Sequence, residues 1–470
     1  MDPTPEPHVD WEALGRSLAG EVVRPGSTAY ERRYRGFNAR YHDLRPRAMV
    51  ACASPEDVSE TLSFLAAQRL PHAVRSGGHC FAGRSSTSGV VVDVAPLRAV
   101  SVSAGVATVG AGAPLGDVYE ALQRHDVTIP GGTCPLVGIA GLVLGGGLGI
   151  LGRTHGTTSD HLVAAQVVLA DGRIVDCDEG RHEDLFWALR GAGAGNFGVV
   201  TSFAFRTVPA PEVTNFHATW SFSHAAAAVT AWQEWAPTGP AQLAASLKVT
   251  DAGEADRSPS VDVYGALLGH ESDAAELLDQ LVVRIGSDPA SVSSRLMSYP
   301  ETRRFWAQLG VDVTGPGADP QQPPPSPYQF AKSEFFRRPL PAEAVGALVA
   351  AFSDARAAGQ ARELDFMPWG GAYNRVRPDA TAFVHRQELF QLKHAAVVEP
   401  DASAEQKRAA HDWVVRSWGS VHPWGSGRVF QNFADPELAD GPGAYYGTNR
   451  DRLLTIKARY DPASVFGPLI

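Results

Sequence analysis

Cysteine is scarce, with only Cys52, Cys80, Cys134 and Cys177 in 470 residues. Four is too few for a disulfide framework, and none has the CxxC or His-flanked spacing of a zinc site. No stretch approaches eighteen uninterrupted apolar residues, so no membrane partner is expected. The opening MDPTPEPHVDWEALGR has no basic stretch leading into an apolar run, which gives a cytoplasmic protein as the expectation. Asn-x-Ser/Thr sequons and internal repeats are absent. Positive charge is also short: 41 Lys and Arg against 51 Asp and Glu leave a formal charge of −10. That balance disfavours nucleic acid or an anionic membrane as the main partner, since both reward a basic surface. What is present is 44% apolar residues, enough for two domains or one large composite unit. Much Ala, Gly, Pro and Arg with little Lys points to a GC-rich bacterial source.

Secondary-structure signals alternate over the first 210 residues. Ser54-Pro55-Glu56-Asp57 is an S-x-x-D box with Pro in the first turn, so a helix starts there. Strands are expected at His72 to Arg75, Val90 to Val92 and Val106 to Val109, and a helix from Leu115 to His125. A hairpin from Ala165 to Cys177 turns at Asp171-Gly172; Asp184 to Arg190 reads as helix and Phe197 to Phe205 as extended. Pro209-Ala210-Pro211 punctuates the chain. We therefore expect domain segments 1–210, 211–425 and 426–470, with a surface loop over Gly315 to Pro327 and a last helix from about Arg450 to Arg459.

Gly145-Gly146-Gly147-Leu148-Gly149-Ile150-Leu151-Gly152 contains G-x-G-x-x-G, with Asp171 about twenty residues on, as a dinucleotide fingerprint requires. Its setting disagrees. Gly138 and Gly141 precede it instead of a clean strand, and Thr154-His155-Gly156 follows where a helix should begin. Backbone N–H groups pressed against a pyrophosphate explain so many glycines better.

Three segments, Arg75-Ser76-Gly77-Gly78-His79, Gly131-Gly132-Thr133-Cys134-Pro135-Leu136-Val137-Gly138-Ile139 and the run from Gly145 to Gly149, together resemble the berberine bridge enzyme-like family of FAD-linked oxidases. The resemblance continues through Asp184 to Gly191, Gly195-Asn196-Phe197-Gly198-Val199-Val200-Thr201 and Lys332-Ser333-Glu334-Phe335. It returns at Asn432, Asp435-Pro436, Tyr445-Tyr446-Gly447 and Arg459 to Pro462. It implies an α+β, two-domain architecture: a discontinuous FAD-binding domain, and a substrate domain with an antiparallel sheet flanked by helices. It implies an oxidoreductase that holds FAD bicovalently, through His79 to the flavin 8α carbon and Cys134 to C6. Imidazole and thiolate are soft nucleophiles suited to an electron-poor isoalloxazine, and both substituents raise its potential. Arg75, Ser76, Gly77, Gly78, Gly131, Thr133, Gly138, Gly141, Gly145, Gly146, Gly147, Gly198, Val200, Asn432 and Tyr445 would then contact the cofactor. Cys80 is a bystander.

The sequence departs from the family around the flavin. Where relatives carry a phenol base in Y-x-N, this chain has Phe430-Gln431-Asn432; Phe81 and His155 replace two further tyrosines, and Lys393 a glutamine or glutamate. His155, Lys393 or His394 could take the proton instead, although strand alternation lets only one of the last two face the flavin. Phe81, Trp369, Tyr373, Glu388 and Phe430 are candidate substrate contacts. Loss of the phenols argues against sugar oxidation and for a secondary-metabolism step, such as antibiotic biosynthesis, on a small natural-product intermediate with O2 as electron acceptor. A flavin-containing cyclase without net redox turnover, or a ligand-sequestering resistance protein, are the alternatives.

Overall fold

The computed structural model describes residues 9–254, 256–311 and 326–469. The loop expected over Gly315 to Pro327 lies, up to Pro325, outside the described residues. Among those residues no helix is long and apolar enough to cross a membrane. Helices and sheets mix as the α+β reading requires.

Two sheets occupy the first 206 residues. The first orders Glu21–Val23, Ala48–Ala51, Val90–Asp93 and His72–Arg75, and its last three strands run parallel. Its centre is a near-continuous Val/Ala run, as a sheet buried on both faces demands. Helix Pro55–Gln68 makes the parallel crossover, capped by Ser54 and ended by Arg69 in the left-handed region at φ 52°. The second sheet is antiparallel, ordering Val100–Ser103, Val106–Gly110, Val199–Arg206, Leu162–Val168 and Ile174–Asp178. The expected hairpin is its last pair, turning at Gly172 with φ 82°.

A seven-stranded antiparallel sheet follows, in the order Ser291–Met297, Val213–Ser221, Ser260–Leu267, Leu243–Asp251, Gln360–Pro368, Phe390–Val398 and Tyr328–Phe336. One face packs on helices Ala225–Trp235, Glu271–Ile285, Ala342–Ser353 and Ala404–Gly419 through Leu247, Val249, Leu364, Phe366, Leu392 and Ala396. Each of the leucine, valine and phenylalanine side chains contributes about 1.5–3 kcal/mol on burial. The other face carries Lys248, Glu363, Asp365, Gln391 and Lys393.

The chain then returns to where it began. Val429, Tyr445, Tyr446, Leu453, Ile456 and Tyr460 enter the same core as Val50, Val92, Leu185 and Phe203. Buried Lys457 fixes the closing helix Arg450–Tyr460, giving Nζ hydrogen bonds to the Asn196 carbonyl (2.5 Å) and Asp461 (2.7 Å). Between the layers, the buried guanidinium of Arg153 donates to the carbonyls of Ala236, Leu243, Pro237 and Gly239.

Candidate functional site

Strand His72–Arg75 delivers Ser76 to His79 to its C-terminal edge. Arg75 is buried, and its guanidinium is occupied by the carbonyls of Ser85, Arg33 and Tyr34 and the Ser86 hydroxyl, so it shapes the loop from behind. Ser76 Oγ donates to the Ala111 carbonyl at 2.7 Å. Gly78 needs its freedom at φ 70°. Gly77 needs closeness, since a Cβ there would run into the Gly138 backbone, and one on Gly138 would strike Gly77 and Ser76. Residues 135–139 are in turn zipped onto 113–116: Leu115 N donates to the Val137 carbonyl, Gly116 N to Pro135 and Ile139 N to Ala113, each at 2.9 Å. The loops carrying His79 and Cys134 are thus pinned backbone to backbone. Gly131 packs under the Tyr119 hydroxyl and against Gly149, with Thr133 beside it and partly exposed.

Both candidate anchors are partly exposed. The His79 ring stacks on Phe37, with centroids 4.1 Å apart at 21°. Burial pushes its pKa down to about 4, so the imidazole is neutral with a free lone pair. Burial also pushes the Cys134 thiol up, opposed by the Leu136 and Val137 N–H groups that favour the thiolate.

The glycine run is held from two sides. Asn432 Nδ2 donates to the Gly141 carbonyl at 2.8 Å and its Oδ1 accepts from Gly147 N at 3.1 Å, while Ser159 N donates to the Gly146 carbonyl at 2.8 Å. Gly146 and Gly147 sit at φ 109° and 86°, and Gly145 lies against the Asn432 amide. Helix Ile139–Leu144 precedes the run, where a dinucleotide fold would have a strand. One helical turn, Gly152–His155, does follow, correcting the expectation of none. Gly141 faces open space. Gly198 packs on Val167 and Val168, Val200 is buried, and Tyr445 closes its hydroxyl on Asp435 N and O.

The three candidate bases diverge. Lys393 is a correction: Burial would lower its pKa, but Glu363 at 2.8 Å and Asp365 at 3.6 Å outweigh that and raise it, so it stays a charged ammonium. His394 is a second correction. Strand alternation turns it to the helix face, fully buried, with Nδ1 2.9 Å from Ser417 Oγ and its pKa pushed down to about 3 by burial. His155, half-buried, is lowered by burial and by His161, and among the described residues neither of its ring nitrogens is hydrogen-bonded.

Among the candidate substrate contacts, Phe81 is partly exposed and meets Phe433 edge-on at 5.4 Å. Trp369 and Tyr373 are instead core residues, stacked at 4.2 Å, with Nε1 donating to the His385 carbonyl and the phenol to Gly149. Phe430 is buried in the same cluster. Glu388 is buried and paired with Arg337 at 3.1 Å; burial raises its pKa against that partner. All four are buried and offer no surface to a substrate. The sequence reading missed Phe37 and Phe433, and the charged array of Lys248, Glu363 and Asp365. Glu363 is 3.2 Å from Lys248, and its two lysines overcome burial to hold it down near 2, whereas burial leaves Asp365 raised. Alternation of Glu363 and Asp365 with Leu364 and Phe366 was the available signal.

Family models match an FAD binding domain at residues 46–178 and "Berberine and berberine like" at 429–467. The chain is 31% identical over 457 residues to the uncharacterized FAD-linked oxidoreductase YvdP of Bacillus subtilis, covering 96% of this chain and 97% of that one. It is 29% identical over 461 residues to berberine bridge enzyme-like 5 of Arabidopsis thaliana, covering 91% and 85%. Among solved structures, Physcomitrella patens BBE-like 1 superposes with TM-score 0.87 at 26% identity over 98% and 99% of the two chains. Acremonium strictum glucooligosaccharide oxidase, whose FAD is described as 6-S-cysteinyl and 8α-N1-histidyl, superposes with TM-score 0.85 at 26% identity over 98% of each.

Proposed function

The chain belongs to the berberine bridge enzyme-like family of FAD-linked oxidoreductases, and from that premise we propose that it holds FAD through both His79 and Cys134 and oxidises a natural-product intermediate, passing the electrons to O2. The observation that carries the reading is the Gly77–Gly138 contact, which binds the two anchor loops into one unit. The residues suit a flavin: a neutral imidazole, a thiol with N–H donors behind it, and at Gly141 open space into which no side chain intrudes. Bound FAD supplies a hydride acceptor.

The protein's own groups do the rest. Backbone of the glycine run and Asn432, Thr133 and Gly131 hold and orient the cofactor. Segments 1–210 and 426–470 form the cofactor domain and 211–425 the substrate domain. His155 takes the substrate proton, a role supported by its free, neutral ring and by phenylalanine at positions 81 and 430. Phe81 lines the substrate space.

Acid precipitation followed by peptide mass mapping tests the cofactor reading. Flavin is expected on both a His79 and a Cys134 peptide, and flavin wholly released into the supernatant would refute the attachment. Oxygen consumption with product formation separates an oxidase from a redox-neutral cyclase, which would turn over anaerobically without bleaching the flavin.

A further inference from the structure

His155 ends the one-turn helix Gly152–His155, and the ring of His161 meets its ring edge-on, with centroids 6.2 Å apart at 76°. His161 is buried. Both of its ring nitrogens meet backbone carbonyls: Nδ1 lies 3.1 Å from the oxygen of Arg206, at the end of strand Val199–Arg206, and Nε2 lies 3.0 Å from the oxygen of His155 itself. A carbonyl oxygen can only accept. A neutral imidazole has one N–H to give and would leave its second nitrogen with a lone pair set against a carbonyl, whereas an imidazolium satisfies both contacts. Hydrogen bonds made to the charged form favour that form.

Nothing nearby cancels such a charge. The carboxylate of Asp160, the adjacent residue, is held by Arg386 at 2.6 and 2.9 Å and by Thr157 N at 2.8 Å. The guanidinium of Arg153, on the same turn as His155, is occupied by the carbonyls of Ala236, Leu243, Pro237 and Gly239. Arg206 offers its carbonyl here and is exposed. Among the described residues neither histidine has a carboxylate partner. His155 is held below the ordinary histidine value by burial first and by His161 second.

Resting on the reading of His155 as the proton acceptor, we propose that His161 is its positioning residue: it carries a proton on both ring nitrogens, clasps the His155 carbonyl, and sets a fixed positive charge beside the His155 ring. That charge keeps His155 free to accept before turnover. Once His155 has taken the substrate proton, two adjacent cations repel each other, and the half-buried His155 ring passes the proton to solvent while His161 keeps both of its own.

The test is nuclear magnetic resonance on the flavin-loaded full chain with isotopically labelled histidine nitrogens, the signals of His155 being assigned by their loss in His155→Gln. At neutral pH His161 is expected to show two N–H nitrogens and His155 a lone-pair nitrogen. His161→Gln is neutral and still donates to one carbonyl; it should move the His155 titration midpoint up by about one pH unit, and His161→Lys, which restores the charge, should bring it most of the way back. A lone-pair nitrogen on His161 in the unaltered protein, or a His155 midpoint unmoved in folded His161→Gln, would overturn the proposal. Because the midpoint is read without turnover, the base reading fails separately: undiminished oxygen consumption by His155→Ala, with a substrate that the unaltered protein oxidises, sinks that reading, and a midpoint shifted by His161→Gln still supports this one.

Discussion

His394→Asn is a perturbation whose size follows from burial. The His394 imidazole resists protonation until about pH 3 in the folded protein, whereas its ordinary value is 6.5. Below 6.5 the unfolded chain therefore binds a proton that the native state refuses, and stability falls as the pH drops from about 6.5 towards 3. At 1.36 kcal/mol per pKa unit, His394 withdraws about 2 kcal/mol between pH 7 and pH 5 and about 5 over the whole window. Asparagine keeps an atom near the Nδ1 position for Ser417 Oγ, 2.9 Å away, but cannot titrate. The small cavity it leaves should cost about 1–3 kcal/mol at pH 7. Urea unfolding followed by tryptophan fluorescence at pH 7 and pH 5 should then show the variant's deficit shrinking by about 2 kcal/mol at the lower pH. Turnover should be unaffected, because the ring faces the helix layer. Parallel pH dependences for the two proteins would refute the reasoning.

Two further substitutions bear on other parts of the molecule. Lys393→Met leaves buried Glu363 with Lys248 alone and should cost about 3–5 kcal/mol in the same assay; adding Glu363→Gln should recover part of it, and a loss below about 1 kcal/mol would show the pair to be dispensable. Gly77→Ala drives a methyl group into the Gly138 backbone and should prise the anchor loops apart. Acid-stable flavin per protein is expected to fall at least ten-fold with the circular dichroism spectrum retained; full attachment would mean that the loops need not touch.

Much of the first 206 residues was legible because local signals agree with the fold there: the Ser54 cap, the valine run at 90–92 and the Asp171-Gly172 turn each act over a few residues. The loops carrying His79 and Cys134 were singled out by motif resemblance, although their mutual contact joins residues sixty apart and left no local trace. Two of the three candidate bases, Lys393 and His394, could not be judged from sequence. Lys393 reads as a base in sequence because its two carboxylates belong to another strand, and Trp369 and Tyr373 read as contacts because nothing local tells a stacked core pair from a pocket wall. Strand alternation did separate Lys393 from His394, a distinction that depends on backbone geometry alone.

The return of the chain's end to its first core sets an order of events in the cell. About 220 residues separate strand Val199–Arg206 from Val429, which at ~5–20 residues per second is about 10–45 s of ribosome time. Throughout that interval the layer around Val50, Leu185 and Phe203 lacks Tyr445, Leu453 and Ile456, and Gly141 and Gly147 lack Asn432. The core begun first is therefore completed only after the segment from Val429 onward has been made.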